Sequence, residues 1–323
     1  MSGLDVSVVV PVHDGAGTVA AAVASALSQA PAPSEVIVVD DGSSDGSGAA
    51  AAIDPRVRVI SFPEAGGPSR ARNAGIAAAR GALVAFLDSD DAWLPGGLAA
   101  RLERFASNPD VVLVSGDALW TGDAVLEGKR LLGADPLAGG EDPFRRLVRE
   151  NFVLTSTAIA RRGALLDVGG FSEEMRRCED YHLWLRLAWR ACGRLAFAFV
   201  DRPVARYRRG PSGLSADREA MLDGEVAALE RLVGLDGLAP RSAAAQSIER
   251  EIIRRRIVQA YVDLEAGRRR AARRKLADAL RRGGLRLKPA AYLVASFLPL
   301  RFTLLRAARR ALVPGARPPR DDR

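Results

Sequence analysis

Short apolar runs alternate with Ala-rich helical stretches over about the first 115 residues, and this alternation constrains the fold more than any other feature. In the first helical stretch, Thr18–Gln29, one apolar residue in every turn gives the stripe of an amphipathic helix. Such alternation predicts an α/β fold with a doubly wound, mostly parallel sheet. The predicted strands are Val6–Val10, Glu35–Val39, Val57–Ser61, Leu83–Leu87 and Val111–Ser115.

The rest of the chain departs from this alternation. Residues 116–150 are rich in Gly, Asp and Pro, so we predict an insertion or a loop over the functional site. A helical pattern returns at Glu179–Arg190, and from about residue 220 the chain is helical and basic, with one helical hairpin predicted around residues 260–284. We therefore expect an α/β domain over residues 1–215 and a basic, C-terminal helical extension over residues 216–323.

Charge is distributed unevenly between these two parts. The net charge of +8 separates into about −3 for residues 1–210 and about +11 for residues 211–323. A basic tail favours contact with a polyanion such as a membrane surface or nucleic acid, although a solvated helix face would explain the same charge. The 2 cysteines, in neither CxxC nor metal-ligand spacing, and an N-terminus without a signal-peptide pattern favour a cytoplasmic protein.

Three carboxylates stand where the strand Leu83–Leu87 leaves the predicted sheet: Asp88, Asp90 and Asp91. Mg²⁺ and Mn²⁺ take few oxygen ligands from protein and let substrate phosphates supply others, so an Asp-x-Asp at a strand end fits such a cation. Asp90 would ligate the metal, and Asp88 would hold a ribose hydroxyl or a metal-bound water. For Asp91 alone we favour capping of the helix that begins near Pro95.

Dinucleotide binding competes for the same domain. Residues 15–20, GAGTVA, match G-x-G-x-x-A between a strand and a helix, and Asp40 and Asp41 close the second strand where a ribose-binding acid would stand. Against an NAD-dependent oxidoreductase, residues 11–14, PVHD, separate the strand from the first glycine and hold the helix N-terminus away from a pyrophosphate. That alternative also leaves the three carboxylates after residue 87 without a role.

Five segments resemble, in order and spacing, the family-2 glycosyltransferases of GT-A fold, over about residues 4–210. The segments are VSVVVPVHDGAGTVAAAVASALSQ, EVIVVDDGSSDGS, GGPSRARNAGIAAARGALVAFLDSDD, GGF and CEDYHLWLRL. The resemblance implies a Rossmann-like GT-A domain and an inverting, metal-dependent transfer of a hexose from a nucleoside diphosphate sugar to an acceptor hydroxyl. It also implies a glycan or lipid-linked acceptor and a role in bacterial cell-surface polysaccharide or glycolipid synthesis.

Roles for single residues follow from the same resemblance. The divalent metal, Mg²⁺ or Mn²⁺, falls to Asp90 and the catalytic base to Asp180, with Glu179 capping or orienting. The family often has an acid where this chain has His182. Arg72 either reaches the diphosphate or is a surface arginine. The residues assigned to the nucleotide sugar are Pro11, Val12, Asp14, Asp41, Arg72, Asp88 and Ser89.

The chemistry of these residue types supports the same roles. Glycosyl transfer builds positive charge on the sugar and negative charge on the leaving diphosphate, which a metal stabilises. A carboxylate on the opposite side can deprotonate the acceptor hydroxyl. The alternative is a nucleotide-sugar-binding pseudoenzyme or a scaffold that acts through its tail, and the presence of Asp88, Asp90 and Asp180 together argues against it.

The tail contains an apolar stretch, Ala290–Leu300, that is too short to span a bilayer and is interrupted by Pro299. With its flanking arginines it would either lie in the headgroup layer, on the inner face of the plasma membrane, or pack on the catalytic domain. Nucleic acid is not an expected partner, because the basic run lacks interleaved aromatic residues. The basic residues concerned are Arg301, Arg306, Arg309, Arg310 and those of the cluster Arg268–Lys275.

Overall fold

A computed structural model describes residues 4–191, 196–210, 217–235 and 237–283. Within these residues one sheet contains the strands β1 Val6–Val12, β2 Glu35–Asp41, β3 Val57–Phe62, β4 Leu83–Phe86, β5 Ala92–Trp93, β6 Leu113–Thr121, β7 Ile159–Arg161 and β8 Phe197–Arg208. The helices are α1 Val19–Leu27, α2 Ser47–Ala51, α3 Pro68–Ala78, α4 Gly97–Ser107, α5 Pro143–Arg149, α6 Arg162–Asp167, α7 Glu179–Ala191, α8 Arg218–Leu232, α9 Ala243–Glu265 and α10 Arg269–Gly283.

The strand order is β3-β2-β1-β4-β7-β6-β8-β5. Strands β3, β2, β1 and β4 are parallel to one another, and β6 is parallel to β8. Strand β7 runs antiparallel between β4 and β6, and β5 runs antiparallel on β8. The predicted doubly wound, mostly parallel α/β fold is therefore confirmed. Because β1, β2 and β4 are parallel, the residues that follow them, including the three carboxylates after β4, lie at one edge of the sheet.

Helices cover both faces of the sheet, as the alternation of side chains in β1 requires. Val8 and Val10 belong to the apolar core that α1 and α4 cover. Val9 faces the other side, where Gly75 of α3 approaches so closely that a Cβ atom at Gly75 would overlap the valine side chain. Because Gly75 has no side chain, α3 can lie this close to the centre of the sheet.

An aromatic cluster packs α7 against β4 on this second face. The ring of Phe86 lies 5.3 Å from that of Phe171 and 6.1 Å from that of Trp184, measured between ring centroids. Such edge-to-face and tilted contacts add to the free energy gained from apolar burial. The cluster brings the first turn of α7, with its two acidic residues, close to the end of β4.

The expectation of a loop over residues 116–150 is wrong at both ends. β6 continues to Thr121, and α5 occupies Pro143–Arg149. The strand signal is hidden by Asp117, which is fully buried in β6 and accepts hydrogen bonds from the backbone N–H groups of Leu132 and Gly133. The chain between β6 and α5 is therefore tied to the sheet by a buried carboxylate.

The chain divides into two compact units, Met1–Ile248 and Glu249–Arg323. Helix α8, which the sequence assigned to the tail, falls in the first unit and packs against the start of α7. In the second unit Leu264 of α9 and Leu276 of α10 belong to a small apolar core, and the buried carboxylate of Asp263 pairs with Arg268 and Lys275. None of the helices in the described ranges is long and apolar enough to cross a membrane.

Candidate active site

The three carboxylates that follow β4 have different environments. Asp91 is buried, and its oxygens accept hydrogen bonds from the Ser156 hydroxyl at 2.5 Å and the Arg208 backbone N–H at 2.8 Å. Burial, followed by the nearby Asp88 carboxylate, raises the pKa of Asp91 well above its usual value. The expectation that Asp91 caps the next helix is wrong, since Gly96 is the N-cap of α4 and the Leu98 backbone N–H in its first turn donates to Gln29 Oε1 at 3.2 Å.

A buried arginine connects the loop Asp88–Asp91, termed the acidic loop below, to α7. Arg72, in α3, donates from Nη2 to Asp88 Oδ1 at 2.8 Å and from Nη1 to Glu179 Oε1 at 2.9 Å. Burial opposes the guanidinium charge, but Asp88 and Glu179 more than offset this effect and raise the pKa of Arg72. The guanidinium also lies 5.3 Å from the centre of the Phe171 ring. Arg72 is therefore not a surface arginine.

Asp180 follows Glu179 in the first turn of α7 and is only partly buried. Its Oδ2 accepts from the Thr155 hydroxyl at 3.0 Å, and its Oδ1 accepts from the Tyr181 backbone N–H at 2.6 Å. Desolvation and then the Glu179 charge raise the pKa of Asp180 to about 6, although Arg72 and both hydrogen bonds favour the ionised form. A carboxylate with this pKa is suited to accept a proton near neutral pH.

The loop between β1 and α1 is fastened to the loop between β2 and α2. The backbone N–H of Gly15 donates to Ser47 Oγ at 2.8 Å, and that of Ala16 donates to Asp45 Oδ2 at 2.9 Å. Asp14 adopts a left-handed conformation, with φ 48°, and accepts from the Ser44 backbone N–H at 2.8 Å. The amides that dinucleotide binding would direct at a pyrophosphate are thus already occupied by side chains.

The remaining residues assigned to the nucleotide lie around the same edge of the sheet. Pro11 and Val12 are the last residues of β1. A Cβ atom built on Gly15 would lie 3.4 Å from Ser89 Oγ and 2.9 Å from Val12 Cγ2, so the loops after β1 and β4 are adjacent. Asp41 is buried at the end of β2, where its carboxylate accepts from the backbone N–H of Gly66 at 2.9 and 3.0 Å and of Gly67 at 2.6 Å.

Among the three carboxylates that follow β4, Asp90 is the one with an exposed side chain. Partial desolvation and, after it, the Asp88 charge raise its pKa, and its backbone carbonyl accepts from Arg208 Nε at 3.3 Å. Among the described residues, no group of three or more His, Cys, Asp or Glu side chains is arranged to hold a metal. Mg²⁺ usually binds through one or two carboxylates and completes its coordination with water and phosphate, so this donor set fits such an ion.

Several residues of the site carried no recognisable signal in the sequence. Thr155 and Ser156 lie in a 3₁₀ turn, Thr155–Thr157, where the sequence predicted nothing. Asn73 binds both backbone groups of Phe171, donating to its carbonyl at 2.9 Å and accepting from its N–H at 2.8 Å. His182, at the position where the family often has an acid, is buried, and desolvation, followed by the charges of Arg186 and Arg231, lowers its pKa to about 4.

Comparison with known proteins decides the family. The model of the family described as "Glycosyl transferase family 2" matches residues 7–160. The succinoglycan biosynthesis protein ExoO of Rhizobium meliloti (strain 1021) is 36% identical over 251 residues, which are 73% of this chain and 71% of that protein. The chain belongs to glycosyl transferase family 2.

Comparison with solved structures shows which fold the chain has. Residues 1–349 of S. aureus TarS, in complex with UDP-GlcNAc, superpose with a TM-score of 0.66 at 18% identity, covering 86% of this chain and 81% of that one. The mannosyltransferase PcManGT of Pyrobaculum calidifontis, in complex with GDP-Man and Mn²⁺, superposes with a TM-score of 0.61 at 20% identity, covering 96% and 81%. The fold of this family 2 member is GT-A, as the resemblance of its segments to the family implied.

The Arg72 bridge yields a prediction about stability. Arg72→Met removes the partner of the buried Glu179, and breaking a buried ion pair costs about 3 kcal/mol of the free energy of unfolding. Urea denaturation at pH 7 measures this loss. As a control, Arg231→Met breaks the exposed pair with Glu174 and should cost less than about 0.5 kcal/mol. Equal effects of the two substitutions would contradict the bridge.

Proposed function

We propose that this family 2 member is an inverting, metal-dependent glycosyltransferase that moves a hexose from a nucleoside diphosphate sugar to an acceptor hydroxyl. The observation that carries the proposal is the position of Asp180, beside a buried Asp88–Arg72–Glu179 bridge that ends at the acidic loop after β4. A proton acceptor and an acidic loop suited to a divalent cation thus belong to one connected set of contacts. That combination suits group transfer from a diphosphate and has no evident purpose in a pure scaffold.

Asp180 acts as the general base in this proposal. Its carboxylate takes the proton of the acceptor hydroxyl while the hydroxyl oxygen attacks the anomeric carbon from the face opposite the diphosphate. Attack from that face inverts the anomeric centre. Glu179 does not compete for this role, because its carboxylate is buried and paired with Arg72.

The donor nucleotide is proposed to bind at the edge of the sheet formed by the ends of β1, β2 and β4, where open α/β sheets bind ligands. Pro11, Val12, Asp14 and Ser89 line this edge. Asp41 accepts backbone amides, and a carboxylate has lone pairs left for the N–H of a base. Arg72 contributes through Asp88, whose Oδ1 it holds while leaving Oδ2 for a ribose hydroxyl or a metal-bound water.

Asp90 is the proposed protein ligand of Mg²⁺ or Mn²⁺. When bound, such an ion would neutralise the negative charge that develops on the leaving diphosphate. The solved structure of PcManGT, which shares the fold, is a complex with GDP-Man and Mn²⁺. The exposure of Asp90 and its raised pKa are those of a carboxylate that gains stability from a cation.

The acceptor is proposed to be a growing glycan or a lipid-linked saccharide in bacterial polysaccharide synthesis. Support comes from ExoO, a succinoglycan biosynthesis protein of which this chain covers 71%. A pseudoenzyme that only binds nucleotide sugars is the second candidate. The pKa of about 6 at Asp180 favours the enzyme, because a binding protein has no need of a proton acceptor tuned near neutral pH.

Asp90→Asn tests the metal assignment through binding rather than turnover. A ligand that binds the native state raises the melting temperature, so the increase that a nucleotide sugar causes with Mn²⁺ should be lost in this variant. Asp110→Asn removes an exposed acid elsewhere and serves as the matched control. If Asp90→Asn keeps the full Mn²⁺-dependent increase with UDP- and GDP-sugars, the metal assignment is wrong.

Asp180→Asn tests the base. General-base catalysis contributes about 10²–10⁴-fold, so kcat should fall by at least about 100-fold while the donor affinity stays unchanged. Since the base acts when it is deprotonated, wild-type kcat should rise with pH through about 6 and be lost below it. Normal turnover of Asp180→Asn, or a wild-type rate that is constant from pH 5 to 7, would refute the role.

Peripheral membrane contact through the tail is a further part of the proposal. Arg269, Arg270 and Arg274 have exposed side chains in the first turns of α10. The apolar stretch Ala290–Leu300 and the arginines after it lie outside the described residues. Each basic residue near an anionic surface contributes about 1 kcal/mol, so this cluster would hold the enzyme reversibly at a cytoplasmic leaflet, near a lipid-linked acceptor.

Liposome flotation measures this contact. The wild-type chain should float with vesicles that contain anionic lipid at low salt, and neutral vesicles should leave it unbound. Replacing Arg269, Arg270 and Arg274 by Gln should reduce the bound fraction strongly. A control with the same change of charge replaces Arg80, Arg104 and Arg190, which are exposed in the first unit. Equal flotation of both variants would contradict the proposal.

A further inference from the structure

The turn Thr155–Thr157, termed the Thr-Ser-Thr turn below, places three consecutive hydroxyl side chains in the interior. The exposed fractions of the three residues are 4%, 0% and 0%. Buried hydroxyl groups are costly unless they are hydrogen-bonded, so a run of three calls for specific partners. The first two are bonded to carboxylates or amides of the candidate active site.

Ser156 fastens the turn to the acidic loop after β4. Its hydroxyl oxygen accepts from the Asp88 backbone N–H at 3.1 Å, and the hydroxyl donates to Asp91 Oδ2 at 2.5 Å. Its carbonyl accepts from the Trp93 indole N–H at 2.8 Å. Both ends of the acidic loop are thus bonded to one residue, with Asp90 between them.

Thr155 fastens the same turn to the proposed base. Its hydroxyl donates to Asp180 Oδ2 at 3.0 Å, while the Tyr181 backbone N–H holds the other oxygen. Two donors on different oxygens fix the plane of the carboxylate. Adjacent residues of one short turn therefore hold the acidic loop and the base.

The turn itself has a rigid support. Arg101 is fully buried, donates from Nη1 to the Thr157 carbonyl at 2.9 Å, and lies 4.3 Å from the centre of the Trp93 ring. Because Trp93 also binds the Ser156 carbonyl, a shift of the turn would break contacts with two large buried side chains. These contacts therefore hold the backbone of the turn, and with it the side chains of Thr155 and Ser156, in a fixed position.

We propose that the Thr-Ser-Thr turn sets the distance between the base and the donor site, with Thr155 as the positioning residue for Asp180 and Ser156 as the positioning residue for the acidic loop. This inference rests on the proposed function. Neither hydroxyl is assigned a contact with substrate. Since each acts on a different partner, the two positions affect different steps: Thr155 affects proton transfer and Ser156 affects donor binding.

The groups that face Asp180 determine how Thr155 affects its protonation. Burial and then Glu179 raise the pKa of Asp180, and the Tyr181 backbone N–H, Arg72 and the Thr155 hydroxyl lower it. Burial, followed by the Asp180 charge, raises the pKa of the neighbouring Cys178 thiol. Removing the hydroxyl takes away a donor that favours the ionised carboxylate. The pKa of Asp180 should then rise above about 6, and the acidic side of the rate profile should move to higher pH.

The experiment compares Thr155→Val, Thr155→Ser and Ser156→Ala in the full-length chain. Readouts are kcat, the donor KM, the pH dependence of kcat, and the increase in melting temperature caused by a nucleotide sugar with Mn²⁺. For Thr155→Val we expect an acidic limb displaced upward by about one pH unit, a lower kcat at pH 6 and an unchanged donor KM. Thr155→Ser, which keeps the hydroxyl, should restore the wild-type profile.

Ser156→Ala should show the opposite pattern, with a raised donor KM, a smaller melting-temperature increase and an unmoved acidic limb. Ser7→Ala removes another fully buried hydroxyl, in β1, and controls for a general loss of stability. If Thr155→Val fails to fold, Thr155→Ala replaces it. The proposal is overturned if the Thr155 variant raises donor KM without moving the acidic limb, or if the two positions give the same pattern.

Asp180→Asn in the same assays separates this proposal from the proposed function. If Asp180→Asn is inactive while Thr155→Val keeps the wild-type profile, the positioning role fails and the base assignment stands. If Asp180→Asn turns over normally, the base assignment fails, and the positioning role of Thr155 is overturned with it. The melting-temperature arm for Ser156 does not depend on turnover, so it tests the second half of the proposal independently.

Discussion

The buried guanidinium of Arg72 is the interaction on which the site depends. It joins β4, α3 and α7 by holding Asp88 and Glu179 at the same time. A buried cation is tolerated only when its charge is compensated, so neither carboxylate can leave without a large loss of stability. Aromatic packing of Phe86, Phe171 and Trp184 brings α7 to this position, and the bridge then fixes the register of its first turn. The proposed base lies one residue further along α7.

Environment, rather than residue type, assigns different tasks to the acids of this region. Asp91 and Glu179 are buried; Asp91 accepts hydrogen bonds on both oxygens and Glu179 is paired with Arg72, so they maintain the structure. Asp90 is exposed, and Asp180 is partly buried with a pKa raised to about 6, so these two remain available for ligand and proton chemistry. One short turn, Thr155–Thr157, is hydrogen-bonded both to the acidic loop and to Asp180.

Periodicity made the sheet and most of its helices predictable, because buried parallel strands and amphipathic helices leave strong patterns. The carboxylates after β4 were predictable as well, since they directly follow a buried strand. Asp117 hid the second half of β6, and the alternating Phe197 and Phe199 of β8 were a signal that the sequence interpretation missed. Thr155 and Ser156 could not be identified, because their partners lie 25 and 65 residues away and hydroxyl residues are common in loops.

The stereochemistry of transfer tests the central claim most directly. If Asp180 deprotonates the acceptor while the diphosphate leaves from the opposite face, transfer is a single displacement. With an α-linked nucleotide sugar as donor and a saccharide acceptor, the anomeric proton of the product, observed by NMR, should show the β configuration. An α-linked product would mean retention, which requires a nucleophile or a front-face mechanism, and it would contradict the arrangement described for Asp180.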